Sequence, residues 1–282
     1  MATRQAILIG SQSPNGKFLP GVGEDIDRQL NFLLSPNAGA WHQEEIKTFY
    51  NPTCNQILAT IKHSFADYLY VYFSGHGFST SRDHRMLALT DGIIEDKQLL
   101  NFNCPRQLII ADSCRTRREP AVIGAIPWPE ERWLYATGYS EAREIYDQCI
   151  LQSPAGHLIV HATQDQMPAL ENQKLIGGEF SLALLESIHN FQQSGQEGIL
   201  YLPQVINYTE QLLKQRNIPQ SPEFVYHQGS FEVPFAIISP DFIPATRNTD
   251  KRQELVDKKK DNSLQNALII GVIGLIILGG IK

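Results

Sequence analysis

The sequence predicts an α/β fold with a mainly parallel central sheet and helices on both faces, and three observations predict it. Tyr68-Leu69-Tyr70-Val71-Tyr72-Phe73 and Gln107-Leu108-Ile109-Ile110-Ala111 are near-continuous apolar runs, as strands covered on both faces require. Strand-like and helix-like stretches alternate along the chain, the pattern of parallel strands joined by crossover helices. Both strong runs also end on chemistry, where open α/β sheets carry their sites. In order, the reading is a strand over 6–12, a helix over about 22–35, a strand over 43–50 and a helix over 53–66. Asn51-Pro52-Thr53 turns the chain and Thr53 caps that second helix. Ile57, Ile61 and Phe65 then recur at a spacing of four and mark its buried face. A strand over 68–74 follows, then a hairpin region with Met86-Leu87-Ala88-Leu89 extended and a helical turn over 94–101. The remainder is a strand over 106–112, a long segment over 115–155, a strand over 157–163, helices over 179–193 and 202–216, and a last strand over 231–238.

With 282 residues, 42% of them hydrophobic, the chain has ample material for one core. A formal charge of −6 leaves no basic footprint for nucleic acid. The four cysteines, Cys54, Cys104, Cys114 and Cys149, have neither CxxC nor zinc-ligand spacing. No secretory signal is expected at the start, so a reducing cytosol and free thiols are the expectation. His84, His157 and His161 are scattered and read as ordinary strand or loop residues.

Two short motifs carry the chemistry: Phe73-Ser74-Gly75-His76-Gly77 and Ala111-Asp112-Ser113-Cys114. A histidine and a cysteine at neighbouring strand ends are the two halves of a thiolate–imidazole dyad. At neutral pH only a few per cent of an unperturbed thiol is ionised, so His76 beside Cys114 would favour the thiolate and later protonate the leaving amine. Ser74 and Asp112 each stand two residues before the chemical residue, and where the strand persists that far its alternation puts each on the same side as that residue.

These motifs resemble the caspase–metacaspase clan of cysteine peptidases over residues 4–240, closest in pattern to bacterial metacaspase-like (orthocaspase) proteins. The resemblance includes Ala6-Ile7-Leu8-Ile9-Gly10, Leu19-Pro20-Gly21 with Asp25, His157-Leu158-Ile159-Val160-His161, and Gly177-Gly178-Glu179-Phe180-Ser181. It implies the caspase-haemoglobinase fold and a cysteine endopeptidase with His76 and Cys114 as its dyad. The backbone N–H groups of Gly77 and Cys114 would form the oxyanion hole, one such donor being worth ~3 kcal/mol in the transition state. In the metacaspase branch, the positions of Asp25, Ser74 and Asp112 bind an arginine or lysine before the scissile bond; Val22 departs from the cysteine often found there. Arg115, Arg117 and Arg118, after the nucleophile, lie where the family carries a loop that is cut during activation, and a solvated basic loop is the bland alternative. Some relatives need calcium. Asp83, Asp91, Glu95, Asp96 and Glu119 are available near the site, without a compact acid-rich loop, so no cofactor is expected and calcium stays open.

The expected organisation is a peptidase domain over 1–243, a polar charged linker over 244–266 and a C-terminal hydrophobic helix over 267–282. From Ala267 to Ile281 no residue is charged, a span of roughly 22 Å as a helix against a hydrocarbon core of about 30 Å. It reads as a single-pass tail anchor in the bilayer, with the flanking Lys258-Lys259-Lys260 placing the peptidase domain on the cytoplasmic side. Lying on the surface and burial in an oligomer are the other options, and cleavage at those lysines would free the domain. The expected partners are protein or peptide substrates with a basic residue before the cut, the lipid bilayer, and an activator or second copy. The reading is a membrane-tethered, self-processing Arg/Lys endopeptidase, with a defence or cell-death role by analogy to the family. The alternatives are a membrane-perturbing effector acting through its tail and a pseudoenzyme scaffold.

Overall fold

The computed structural model describes residues 1–14, 18–81, 84–113, 138–165, 167–170, 177–229 and 232–239. Its main sheet contains β1 (Arg4–Ser11), β2 (Ile46–Tyr50), β3 (Tyr68–Gly75), β7 (Arg106–Asp112), β8 (Gly156–His161) and β10 (Glu223–Gly229). The spatial order is β10-β8-β7-β3-β1-β2, parallel throughout except for β10, which runs antiparallel to β8 at one edge. Three further strands, β4 (Gly77–Ser81), β5 (His84–Leu89) and β6 (Gly92–Glu95), form an antiparallel sheet of their own. β9 (Gly198–Tyr201) pairs with β11 (Pro234–Ile238) as a separate ribbon.

All eight residues of β3 are buried, which is why the run is apolar on both of its faces. Its period of two sorts them between two cores. Tyr68, Tyr70 and Tyr72 join Leu8, Leu108, Ile110 and Val160 in one. Leu69, Val71 and Phe73 join Ile7, Ile9, Ile109 and Ile159 in the other. The first core is covered by α1 (Gly21–Leu34), α3 (Tyr139–Gln152), α4 (Glu179–Gln193) and α5 (Leu202–Gln215). The second is covered by α2 (Cys54–Lys62), β5, β6 and a 3₁₀ turn at Asp96–Leu99. Among the described residues helices cover both faces, four against one. The tyrosines on the thick side bury phenol rings and still find polar partners: Tyr70 donates to Gln29 Oε1 at 3.0 Å and Tyr72 bonds the Ser181 hydroxyl.

Thr53 caps α2 as expected, accepting from the Gln56 N–H at 3.2 Å while Gln56 Oε1 accepts from the Thr53 N–H at 2.8 Å. The helix stops at Lys62 rather than at 66. Ile57 and Ile61 are buried, but Phe65 is 71% exposed, beyond the helix end, and does not extend the apolar face. Residues 43–45 form a 3₁₀ turn instead of the start of β2. Helix α3 lies within the long segment 115–155, to which the sequence reading assigned no element, and β6, β9 and β10 are further additions to that reading. The linker 244–266 and the hydrophobic segment 267–282 lie outside the described residues, as do Arg115, Arg117, Arg118 and Glu119. Among the described residues no helix is long and apolar enough to cross a membrane.

Candidate active site

β3 and β7 are hydrogen-bonded neighbours with Ser74 directly opposite Asp112. Their carboxyl ends therefore open at adjacent points of one sheet edge, and His76 leaves the first while Ser113 leaves the second. Cys114, one residue further, lies outside the described residues. The turn at His76 is held by its carbonyl, which accepts from the Ala88 N–H at 2.9 Å. That bond ties the histidine to β5.

Gly77 has no room for a side chain. A Cβ there would lie 2.6 Å from Ser113 Oγ, 2.8 Å from Ser113 Cβ and 2.9 Å from the Met86 carbonyl oxygen. Glycine at this position thus lets the turn after His76 pack on the residue next to Cys114, a requirement separate from any oxyanion contact. Ser113 itself is buried. Gly75 is similarly confined, its Cβ position 2.9 Å from the Ser11 backbone oxygen of β1.

Asp25 is in the second turn of α1, buried with Ile26 and Gln29 on the face turned toward the sheet. The Ser74 hydroxyl donates to Asp25 Oδ2 at 2.9 Å, and the Gly178 N–H donates to Oδ1 at 3.0 Å and Oδ2 at 3.1 Å. The Ser181 hydroxyl donates to Asp112 Oδ2 at 2.5 Å, and Tyr72 bonds the same Ser181 hydroxyl. The three residues named from the sequence, Asp25, Ser74 and Asp112, are brought together on the thick side of the sheet. Sequence reasoning missed the roles of Gly178, Ser181, Tyr72 and Arg28. Gly178 precedes α4 as its N-cap, so the positive end of that helix faces both carboxylates. A Cβ on Gly178 would lie 2.2 Å from Asp112 Oδ2. The glycine pair at 177–178 was visible in the sequence as a helix-entry signal, but nothing local tied it to acids so far away in the chain.

Burial, and then the neighbouring Asp112 carboxylate, push Asp25 well above the usual carboxylate range; Arg28, the Ser74 hydroxyl and the Gly178 N–H pull the other way. Two acids at 2% and 5% exposure are expensive to keep ionised without a counter-charge. Arg28 Nη1, 3.5 Å from Asp25 Oδ1, supplies such a charge.

The other acids near the site are engaged separately. Asp91 Oδ1 accepts from the Cys54 N–H at 2.7 Å, Glu95 pairs with His84 at 3.1 Å, and Asp96 pairs with His161 at 3.1 Å. Asp83 lies outside the described residues. Among the described residues no three His, Cys, Asp or Glu side chains gather as a metal site. His157, like His161, is a buried strand residue; its Nε2 meets the Cys104 carbonyl at 2.9 Å.

No curated protein matches the chain by sequence. In backbone course it is similar to caspase-1 from Spodoptera frugiperda, at 16% identity and a TM-score of 0.53 over 84% of this chain and 89% of that one. That likeness shows a shared fold. Residues 3–230, which span β1 to the end of β10, match the Caspase domain of the C14 peptidases, and the chain accordingly belongs to the caspase-domain family of cysteine peptidases.

Proposed function

We propose that the chain is a cysteine endopeptidase that cuts proteins after arginine or lysine. Cys114 is the nucleophile and His76 its base and later its acid. The N–H groups of Gly77 and Cys114 receive the oxyanion, and the carboxylates of Asp25 and Asp112 hold the basic side chain with the Ser74 hydroxyl between them. The observation that carries this reading is the buried pair of carboxylates beside the strand end that bears His76. Paired acids suit a guanidinium or ammonium through charge-assisted hydrogen bonds and repel an aspartate. Attack of the Cys114 thiolate on the scissile carbonyl expels the amine, which takes its proton from His76, and water then releases the acyl group. In the same reading the segment 267–282 tethers the domain to a bilayer, and the arginines after Cys114 are sites of self-processing.

The test is cleavage of matched fluorogenic peptides ending in Arg, Lys or Asp by the full-length chain, with and without calcium. Cys114→Ala and His76→Ala serve as controls. Turnover of the Arg and Lys peptides, absent in both variants, is the expected result. Cleavage of the Asp peptide instead would sink the acid-site assignment, and activity surviving in Cys114→Ala would sink the dyad.

A further inference from the structure

The acid site contains a positive charge that the reading above does not use. Arg28 lies one turn beyond Asp25 on α1, with Nη1 3.5 Å from Asp25 Oδ1 and a side chain only 19% exposed. Surface ion pairs three residues apart on a helix leave their long side chains free to swing into water. This one is closed in. Gly177, at φ +146°, covers it so tightly that a Cβ would lie 2.3 Å from Arg28 Nη1 and 2.6 Å from Asp25 Oδ1. Gly178 covers Asp112 in the same way. Two successive glycines thus press the backbone onto the arginine and both acids together.

We propose that Arg28 is the resident counter-ion of the substrate site and determines how it takes a basic residue. Arg28, 3.5 Å from Asp25 Oδ1, favours the ionised form of that carboxyl, and the ionised form is the one that receives the substrate cation. The proposal rests on the Arg/Lys reading of the site.

The groups acting on Asp25 come from every element around it: Asp112 from β7, Arg28 from α1, the Ser74 hydroxyl from β3 and the Gly178 N–H at the start of α4. Tyr72, from β3, is kept un-ionised by burial and by the same two acids. Glu179, next along α4, is also buried. Without Arg28, burial and Asp112 act on Asp25 with less opposition, and the two carboxyls share a proton. That proton then competes with the substrate cation. The penalty falls on substrate binding, grows toward acid pH and leaves the dyad alone.

Arg28→Gln and Arg28→Lys in the full-length chain, assayed for kcat and KM on an Arg-ending peptide from pH 5.5 to 9, test this directly. In Arg28→Gln the acid limb of kcat/KM should move up by about one pH unit, a roughly tenfold rise in KM at the acid end. The gap should close toward pH 9, kcat should hardly change, and Arg28→Lys should recover most of the loss. A rise in KM equal at every pH, a loss confined to kcat, or a profile unchanged in Arg28→Gln would overturn the proposal. A wild-type chain that cleaves only non-basic peptides would instead overturn the Arg/Lys reading. Thermal stability against pH then still reads the Arg28–Asp25 link. The decline in stability with rising pH should extend to higher pH in Arg28→Gln, and coincident curves would show that Arg28 has no hold on Asp25.

Discussion

Two buried charge clusters sit at opposite edges of the same sheet, and they are built to different rules. At the amino end of β1, Arg4 is 5% exposed, its Nε 3.3 Å from Asp147 Oδ1 and its Nη2 3.9 Å from Glu45 Oε2. Arg143 bonds the same Glu45 at 2.5 and 2.9 Å. The Arg4 guanidinium also lies over the Trp41 ring at 4.8 Å and the Tyr146 ring at 5.6 Å. Among the described residues Arg4 and Arg143 thus face Glu45 and Asp147. Burial alone would raise Glu45, but the bonds from Arg143 and the His42 N–H, with the Arg4 charge, outweigh it and hold that carboxyl below its usual range. Burial also raises Asp147, against the pull of Arg4 and Arg143, and at the carboxyl edge burial and Asp112 raise Asp25 further, against the pull of Arg28. The first cluster ties β1 to α3 and to the turn at 43–45, whereas the second stands beside the strand end that leads to His76.

The comparison breaks most visibly at Arg4. Arg4→Met leaves buried Asp147 and half-buried Glu45 with only Arg143, and should cost about 3–5 kcal/mol, read as a fall in the urea midpoint. The preference for basic peptides should be untouched. The opposite cluster should behave inversely. Asp25→Asn can still accept from the Gly178 N–H through its oxygen and donate from its NH2 group to the Ser74 hydroxyl, but it removes the charge, and should lower kcat/KM on an Arg peptide by about a hundredfold, roughly 2.7 kcal/mol, while raising the melting temperature. The sign follows from linkage. A carboxyl whose pKa is raised on folding favours the folded state at acid pH, and that contribution is lost as pH rises from the unfolded value, about 3.9, through the folded one. The variant should therefore match wild type below pH 4 and exceed it at neutral pH. A melting temperature that falls at pH 7 would mean that Asp25 is structural, like Asp147. Gly178→Ala puts a methyl against Asp112 and should destabilise by about 1–3 kcal/mol, with a loss of Arg-peptide turnover that the same substitution at exposed Gly198 does not cause. Tyr72→Phe gives the smallest effect. It removes one hydroxyl from the chain Tyr72–Ser181–Asp112 and should cost about 1 kcal/mol in denaturant titration.

The strands of the sheet were legible because burial on both faces writes itself as an unbroken apolar run, as in β3 and β7. Elements with weaker faces were not. Helix α3 buries only Ala142, Tyr146, Asp147 and Ile150, and its Arg143 and Asp147 belong to the ionic cluster, so its apolar period is diluted by charge. β10 is an edge strand with three of its seven residues exposed and the other four only partly buried, too mixed for either template. At the site, Asp25, Ser74 and Asp112 stood out because each has a fixed offset from a recognisable motif. Arg28, Gly178 and Ser181 had no such marker: their roles arise only when α1 and the entry of α4 meet around β3 and β7.

That meeting also has an order in time. The strands carrying Ser74, His76 and Asp112 are translated well before Gly177, Gly178 and Ser181, which complete the acid site from the next segment of the fold. A ribosome-bound chain that has released only its first half holds the strand that leads to His76 but no finished acid cluster. The bonds from Gly178 and Ser181 arrive with the second half, so a chain cut short in synthesis leaves Asp25 and Asp112 without them.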